Sequence, residues 1–124
     1  MPLIDHVNLP VGDLVRSRWF YENVLATLGQ RLLLVDGDAV GFGTDAWAFG
    51  IVRVPPPITP LHVAFVAPSR DAVDRFFEAA TALGAPSLGA PGLRPHYAAH
   101  YYAAFVRDPD GHSVEAVCRA PALP

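Results

Sequence analysis

Two histidines and one glutamate have the types and placement to hold a divalent ion: His6, His62 and Glu115. Two neutral imidazoles and a carboxylate on one side of an ion leave coordination positions open for substrate or water. The pairing of the histidines comes from an internal repeat. Shifting the chain so that His62-Val63 overlies His6-Val7 also aligns Phe76 with Phe20, Glu78 with Glu22 and Ala82 with Ala26, and one deletion later Leu83-Gly84 with Leu28-Gly29. Matching the ends of the two halves through Arg53 and Arg119 then sets Phe49 against Glu115, apolar in one copy and acidic in the other. An inward carboxylate is costly unless an imidazolium or a cation balances it, which favours a metal beside Glu115. The competing reading of His6 and His62 is a pair of hydrogen-bonded core histidines.

These side chains need strands to aim them. Residues 3–10 alternate, with Leu3, Val7 and Leu9 on one face and Ile4, His6 and Asn8 on the other. Asp13 can cap a helix carrying Leu14, Ser17, Phe20 or Tyr21, Val24 and Leu28, which stops at Gly29. The second half repeats the plan: a strand over 61–67, Ser69 as cap, then Val73, Phe76, Phe77, Ala80 and Leu83 before Gly84. Strand-like stretches follow at 30–35, 39–42 and 46–54, and again at 101–107 and 112–119, while Gly89-Ala90-Pro91-Gly92 reads as loop. Asp108-Pro109-Asp110-Gly111 is a turn between the last two strands. The expected fold is α+β, a single domain over 1–124. It comprises two tandem βαβββ modules, about 1–56 and 57–120, whose curved mixed sheet surrounds a cavity with helices outside. Parity turns His6, Asn8, Trp47, Phe49, His62, Ala64, Glu115 and Val117 into that cavity, favouring an apolar or aromatic substrate body.

Other candidates read as structural. His112 lies three residues from Glu115, hence on the opposite strand face, and is expected in the turn or at the surface. His96 and His100 have the spacing of a helical ligand pair, but Pro91, Gly92 and Pro95 point to a loop. Gly41-Phe42-Gly43 lacks the following helix of a dinucleotide fingerprint. Cys118 shares parity with Val114 and Ala116 and reads as a buried thiol. The net charge of −3 and the absence of Lys/Arg runs disfavour nucleic acid and membrane partners. Residues 1–20 lack a basic start with an apolar stretch, so a cytoplasmic location is expected.

Three runs carry a family resemblance: residues 5–14 (DHVNLPVGDL) leading into Phe20-Tyr21, the strand Leu61-His62-Val63-Ala64-Phe65, and residues 105–116 (FVRDPDGHSVEA). Together they resemble the vicinal oxygen chelate superfamily of glyoxalase I, extradiol dioxygenases, and fosfomycin and bleomycin resistance proteins, most closely its uncharacterised glyoxalase-like members. The resemblance implies that His6, His62 and Glu115 are ligands to a divalent Fe, Mn, Zn, Co or Ni ion that chelates two substrate oxygens. It also implies a homodimer, and a loop beside the cavity in which Arg94 holds substrate and His96 and Tyr101 hold or protonate it. Asn8, Trp47 and Phe49 are the further substrate contacts. The chain departs from glyoxalase I, whose fourth, acidic ligand position corresponds to Phe49 in this matching, and from fosfomycin transferases, whose threonine corresponds to Asn8. Extradiol dioxygenases share the ligand set but are typically longer. The alternative to an enzyme is a metal-free protein that sequesters an aromatic or cationic compound, as bleomycin resistance proteins do.

Overall fold

Along the first strand, β1 (Val7–Val11), Leu9 and Val11 are buried while Asn8 is exposed and Pro10 half-buried, the alternation that period-two geometry demands, and Val7 of the buried parity is exposed at the strand's start. The computed structural model describes residues 3–123. Helix α1 (Leu14–Ala26) starts where the Asp13 carboxylate accepts the Arg16 N–H at 3.1 Å, and it buries Ser17, Phe20, Tyr21, Val24 and Leu25. Helix α2 (Arg70–Ala82) starts the same way, with Ser69 Oγ accepting the Ala72 N–H at 3.0 Å, and buries Ala72, Val73, Phe76 and Ala80. Beyond both helices the chain turns through a left-handed glycine, Gly29 at φ +79° and Gly84 at φ +91°, as a C-terminal cap requires. No helix among the described residues is long and apolar enough to cross a membrane.

Each helix is followed by three strands: β2 (Arg31–Asp36), β3 (Ala39–Gly43) and β4 (Trp47–Arg53), then, after β5 (His62–Val66) and α2, β6 (Ser87–Leu93), β7 (Tyr102–Arg107) and β8 (Ser113–Cys118). The expected βαβββ plan is therefore present twice. It yields two four-stranded mixed sheets, ordered β1-β4-β3-β2 and β5-β8-β7-β6, and not one continuous sheet. β1 runs parallel to β4 and β5 parallel to β8, while the remaining neighbours are antiparallel. The segment read as loop at Gly89-Ala90-Pro91-Gly92 lies within β6. It is an edge strand, and its pairing to β7 shifts register between Ser87 and Gly89 and again between Gly89 and Gly92, the setting in which proline and glycine are tolerated in a sheet. The glycine run before Trp47 is strand β3 with strand β4 after it, so no dinucleotide turn forms.

Register corrects one equivalence between the halves. Val7 pairs with Phe49 and Asn8 with Gly50, while Val63 pairs with Val114 and Ala64 with Glu115. The counterpart of Glu115 is therefore Gly50, and the counterpart of Phe49 is the buried Val114. Matching through Arg53 and Arg119 is one residue out, which reverses the face of every side chain on the strand. Phe49 belongs to the core, 6% exposed, with its ring 5.0 Å from Tyr21 and 4.8 Å from Phe65. The Phe49–Phe65 contact joins the two modules into one hydrophobic cluster, which also takes in Cys118, buried as its parity requires.

The turn at 108–111 bolts the modules together. Asp108 Oδ1 accepts the N–H groups of Asp110 and His112 at 2.9 Å each, and Oδ2 accepts the Tyr21 hydroxyl of α1 at 2.6 Å. Asp110 reaches back to module one as well, accepting the Gly12 N–H at 3.0 Å and the Ser17 hydroxyl at 3.4 Å. His112 is not a surface residue: it is fully buried, its Nδ1 accepts the Leu61 N–H at 2.9 Å, and Nε2 therefore donates to the Pro10 carbonyl at 2.7 Å. Its position on the strand face opposite Glu115 points inward because module one covers that face. Burial pushes the Asp108 carboxyl above its usual range, against the opposing pull of the Tyr21 and backbone hydrogen bonds. Burial, with Asp108 beside it, holds the Tyr21 phenol well above its ordinary value of 10.0. A phenol with a raised folded-state pKa contributes stability that is fully present below pH 10 and lost as the pH rises through the folded value. Replacing Tyr21 by Phe leaves Asp108 Oδ2 without its donor and should cost about 2 kcal/mol in urea unfolding at neutral pH. A loss below about 0.5 kcal/mol, the usual range for an uncritical surface change, would mean that this hydrogen bond does not clamp the modules.

Candidate active site on the concave face of module two

Alternation along β8 turns Ser113, Glu115 and Val117 to the face opposite the helices, and Arg119 continues the same parity just beyond the strand. β5 adds His62, which pairs with Ser113, and β7 adds Phe105, directly opposite Glu115. The segment between β6 and β7 closes one side with His96, Tyr97 and Tyr101. Together with His62, Phe105, Ser113, Glu115 and Arg119 they line a cavity of about 520 Å³.

At its floor lies Glu115, 3% exposed, with both carboxylate oxygens engaged. Oε1 is 3.0 Å from His62 Nε2, and Oε2 accepts a short hydrogen bond from the Tyr101 hydroxyl. His62 Nδ1 is 2.9 Å from Ser113 Oγ, so the neighbouring strand residue fixes the ring and presents Nε2 to the carboxylate. Burial, followed by the hydrogen bond to Glu115, pushes the Tyr101 phenol up to about 12, while the Arg119 guanidinium, 4.9 Å above the ring, pulls it back down. The Tyr101 proton is therefore firmly held at neutral pH and directed at Oε2.

Module one presents its own half of the constellation. His6, immediately before β1, has Nδ1 2.7 Å from Asp5 Oδ2, and its ring lies 4.4 Å from Trp47. Asn8 fills the space over Gly50, where an added Cβ would collide with the Asn8 side-chain oxygen. The position symmetric to Glu115 is thus taken by a carboxamide from the next strand. His62, Glu115, Tyr101 and His96 come together in one cavity, and His6, Asn8 and Trp47 group on the other sheet. Among the described residues His6 forms no metal-sized cluster with His62 and Glu115. Arg94 lies beside the cavity with its guanidinium 5.4 Å over the Phe105 ring, and exposed His100 is outside it.

Residues not anticipated from sequence are Ser113, Tyr97, Phe105 and Arg119. Extending the Glu115 parity two residues back and four forward finds Ser113 and Arg119, whereas Phe105 needs the β7–β8 register. The cluster whose potential ligand atoms lie within 4.8 Å of one another is Asp108, Asp110 and His112. All six of their side-chain oxygen and ring nitrogen atoms are already committed to the inter-module clamp, so this cluster is structural.

Tandem βαβββ modules with a His and Glu on the inner sheet face define the class, and residues 3–116 match the model of the Glyoxalase/Bleomycin resistance protein/Dioxygenase superfamily. The chain belongs to that superfamily. It is similar to a glyoxalase/bleomycin resistance protein from Albidiferax ferrireducens T118, with 30% identity, 96% of this chain and 100% of that one covered, and a TM-score of 0.82. Its fold is also that of a lactoylglutathione lyase from Agrobacterium tumefaciens (23% identity, 95% and 94% covered, TM-score 0.69). A fosfomycin resistance protein from Mesorhizobium loti is similar in the same way (20% identity, 95% and 92% covered, TM-score 0.70). No curated protein matches the chain.

In chelator-treated protein, an alkaline titration followed by tyrosinate absorbance should show a step near pH 12 that Tyr101→Phe removes. A Tyr101→Phe curve that superimposes on the parent's would mean that the phenol is not held in this way.

Proposed function

We propose that the chain is a metal-dependent enzyme in which His6, His62 and Glu115 hold one divalent ion, with His6 supplied by a second copy of the chain. The observation that carries this reading is the common preparation of both imidazoles. Each has Nδ1 engaged by a partner, Asp5 for His6 and Ser113 for His62, which reserves Nε2 as the ligand atom. Outer partners of this kind set the ring orientation of metal-bound histidines. The buried Glu115 carboxylate beside His62 Nε2 supplies the third donor. Such a donor set suits Fe, Mn, Zn, Co or Ni, and members of the superfamily commonly use divalent metals.

Completion by a second copy follows from the sheet edges. β1 and β5 are both unpaired edge strands, and exposed Ile4, Val7, Leu61 and Val66 flank them. An apolar groove of about 400 Å³ runs beside them, lined by Ile4, Val7, Val63, Ala64 and Val66 over Phe49. Pairing the β1 edge of one copy with the β5 edge of another would cover this apolar surface, satisfy the edges and bring the two half-sites face to face. An isologous contact does so twice, giving a homodimer with two sites.

When bound, the ion would act as a Lewis acid toward a pair of substrate oxygens. The chain's own groups do the rest. Tyr101 holds a proton at its hydroxyl beside Glu115 Oε2, His96 at the rim is placed to pass a proton to or from substrate, and Asn8 offers a carboxamide to orient it. Trp47, Tyr97 and Phe105 provide aromatic walls that exclude water. Phe49, being core, supports the Tyr21 and Phe65 rings and touches no substrate in this reading.

One observation favours a second reading. Within the single chain Glu115 is already fully satisfied by His62 and Tyr101, so an imidazolium could balance it without metal, leaving a binding protein for a small aromatic compound. Elemental analysis of protein purified without chelators separates the two. Near-stoichiometric metal in the parent, lost in both His6→Ala and Glu115→Gln, supports the enzyme, whereas a metal-free parent that still binds an aromatic ligand supports sequestration. Mixing the two variants under subunit exchange should restore metal to about a quarter of the sites, because each mixed dimer has one intact constellation. No recovery in demonstrably mixed dimers would overturn the shared site.

A further inference from the structure

We propose that the cavity recognises a small planar anion, an aryl carboxylate, through two guanidinium groups at its mouth, Arg119 and Arg94. This deepens the reading of the cavity as a substrate site and rests on it, although not on a bound metal. The sequence has net charge −3 and shows no cluster of basic residues, so a cationic mouth is unexpected. The fold creates one by bringing residues 94 and 119 beside the same aromatic wall.

Arg119 stands over the Tyr101 ring at 4.9 Å, and no carboxylate among the described residues pairs with it. Arg94 lies 5.4 Å over Phe105. Its guanidinium is laid across β6: it donates to the Ala90 carbonyl at 2.8 Å, and an added Cβ at Gly89 or Gly92 would come within 3.0 and 3.1 Å of its terminal nitrogens. Two bare glycines thus give Arg94 a bed, which explains why an edge strand carries residues so poor at forming strands. The cavity's own carboxylate, Glu115, is already offset by His62 and Tyr101, so both guanidinium charges remain unbalanced by the wall they stand on.

Guanidinium forks bind carboxylates through paired hydrogen bonds, and a guanidinium stacked on an aromatic ring keeps its N–H edges free to do so. The exposed Tyr97 offers a ring face for a planar body, and about 520 Å³ is ample for a bicyclic ring. The wall therefore presents aromatic sides with a cationic rim, complementary to a flat body bearing one negative group.

The test uses chelator-treated protein and two probes of one shape, 2-naphthoate and the neutral 2-naphthamide, with binding followed by fluorescence titration. The parent should bind naphthoate at least about tenfold more tightly than naphthamide, a preference weakened by salt. Arg119→Gln should abolish most of the preference, Arg94→Gln part of it, and both together all of it, with naphthamide affinity little changed. Equal binding of the two probes by the parent, binding of neither, or a preference that survives the double variant would each overturn the proposal. Metal content of the parent, purified without chelators, is measured alongside. A parent that holds metal but shows no anion preference after chelation defeats this inference alone, and an anion preference in a parent that never binds metal defeats the metal reading alone.

Discussion

A buried carboxylate on a turn decides where everything else in this chain stands. Asp108 gathers two backbone N–H groups of its own turn and the Tyr21 hydroxyl of the opposite module, while Asp110 and His112 tie the same turn to Gly12, Ser17 and Pro10. Ionised or not, that carboxyl is expensive to bury, and it is tolerated because both of its oxygens have donors. The consequence is geometric. β8 begins directly after the turn, so the clamp that joins the modules also sets the register that points Glu115 away from the helices and toward the cavity. The middle of the 105–116 run, Asp108 to His112, is thus devoted to holding two halves together, while Phe105, Ser113 and Glu115 face the candidate site.

The same clamp fixes the modules so that their sheets do not pair. Helix packing and the Phe49–Phe65 contact use one face of each sheet for the common core, and β1 and β5 are left as open edges bearing apolar side chains. An unpaired apolar edge invites another strand. This gives the proposed two-copy site a structural reason: the core that stabilises a single chain is what keeps His6 away from that chain's own His62 and Glu115.

The repeat, both helices with their caps, the core stripes and the inward face of Glu115 were legible in the sequence because each rests on local periodicity or on a residue with one strong conformational preference. Asp13, Ser69, Gly29 and Gly84 do the work expected of them. The failures share a different cause. The Arg53–Arg119 match sets Phe49 one residue out of place because strand register is set by partners distant in sequence, and a single-residue slip exchanges the faces. His112 looked like a turn residue because nothing local announces that Pro10 and Leu61 will cover it. β6 looked like a loop because Gly89, Pro91 and Gly92 are poor strand formers, tolerated on a bulged edge where two of them accommodate Arg94. Arg94 and Arg119 are 25 residues apart in sequence and become neighbours of one cavity only through the β6-β7-β8 order.

The metal-dependent reading turns on whether His6 reaches His62 and Glu115 from a second copy. Sedimentation velocity of cobalt-loaded protein across a dilution series, read at the cobalt visible bands as well as at protein absorbance, addresses that directly. The visible absorbance should travel with the dimer and disappear in step with its dissociation into monomers. A monomer that sediments with its full complement of cobalt and an unchanged spectrum would contradict it.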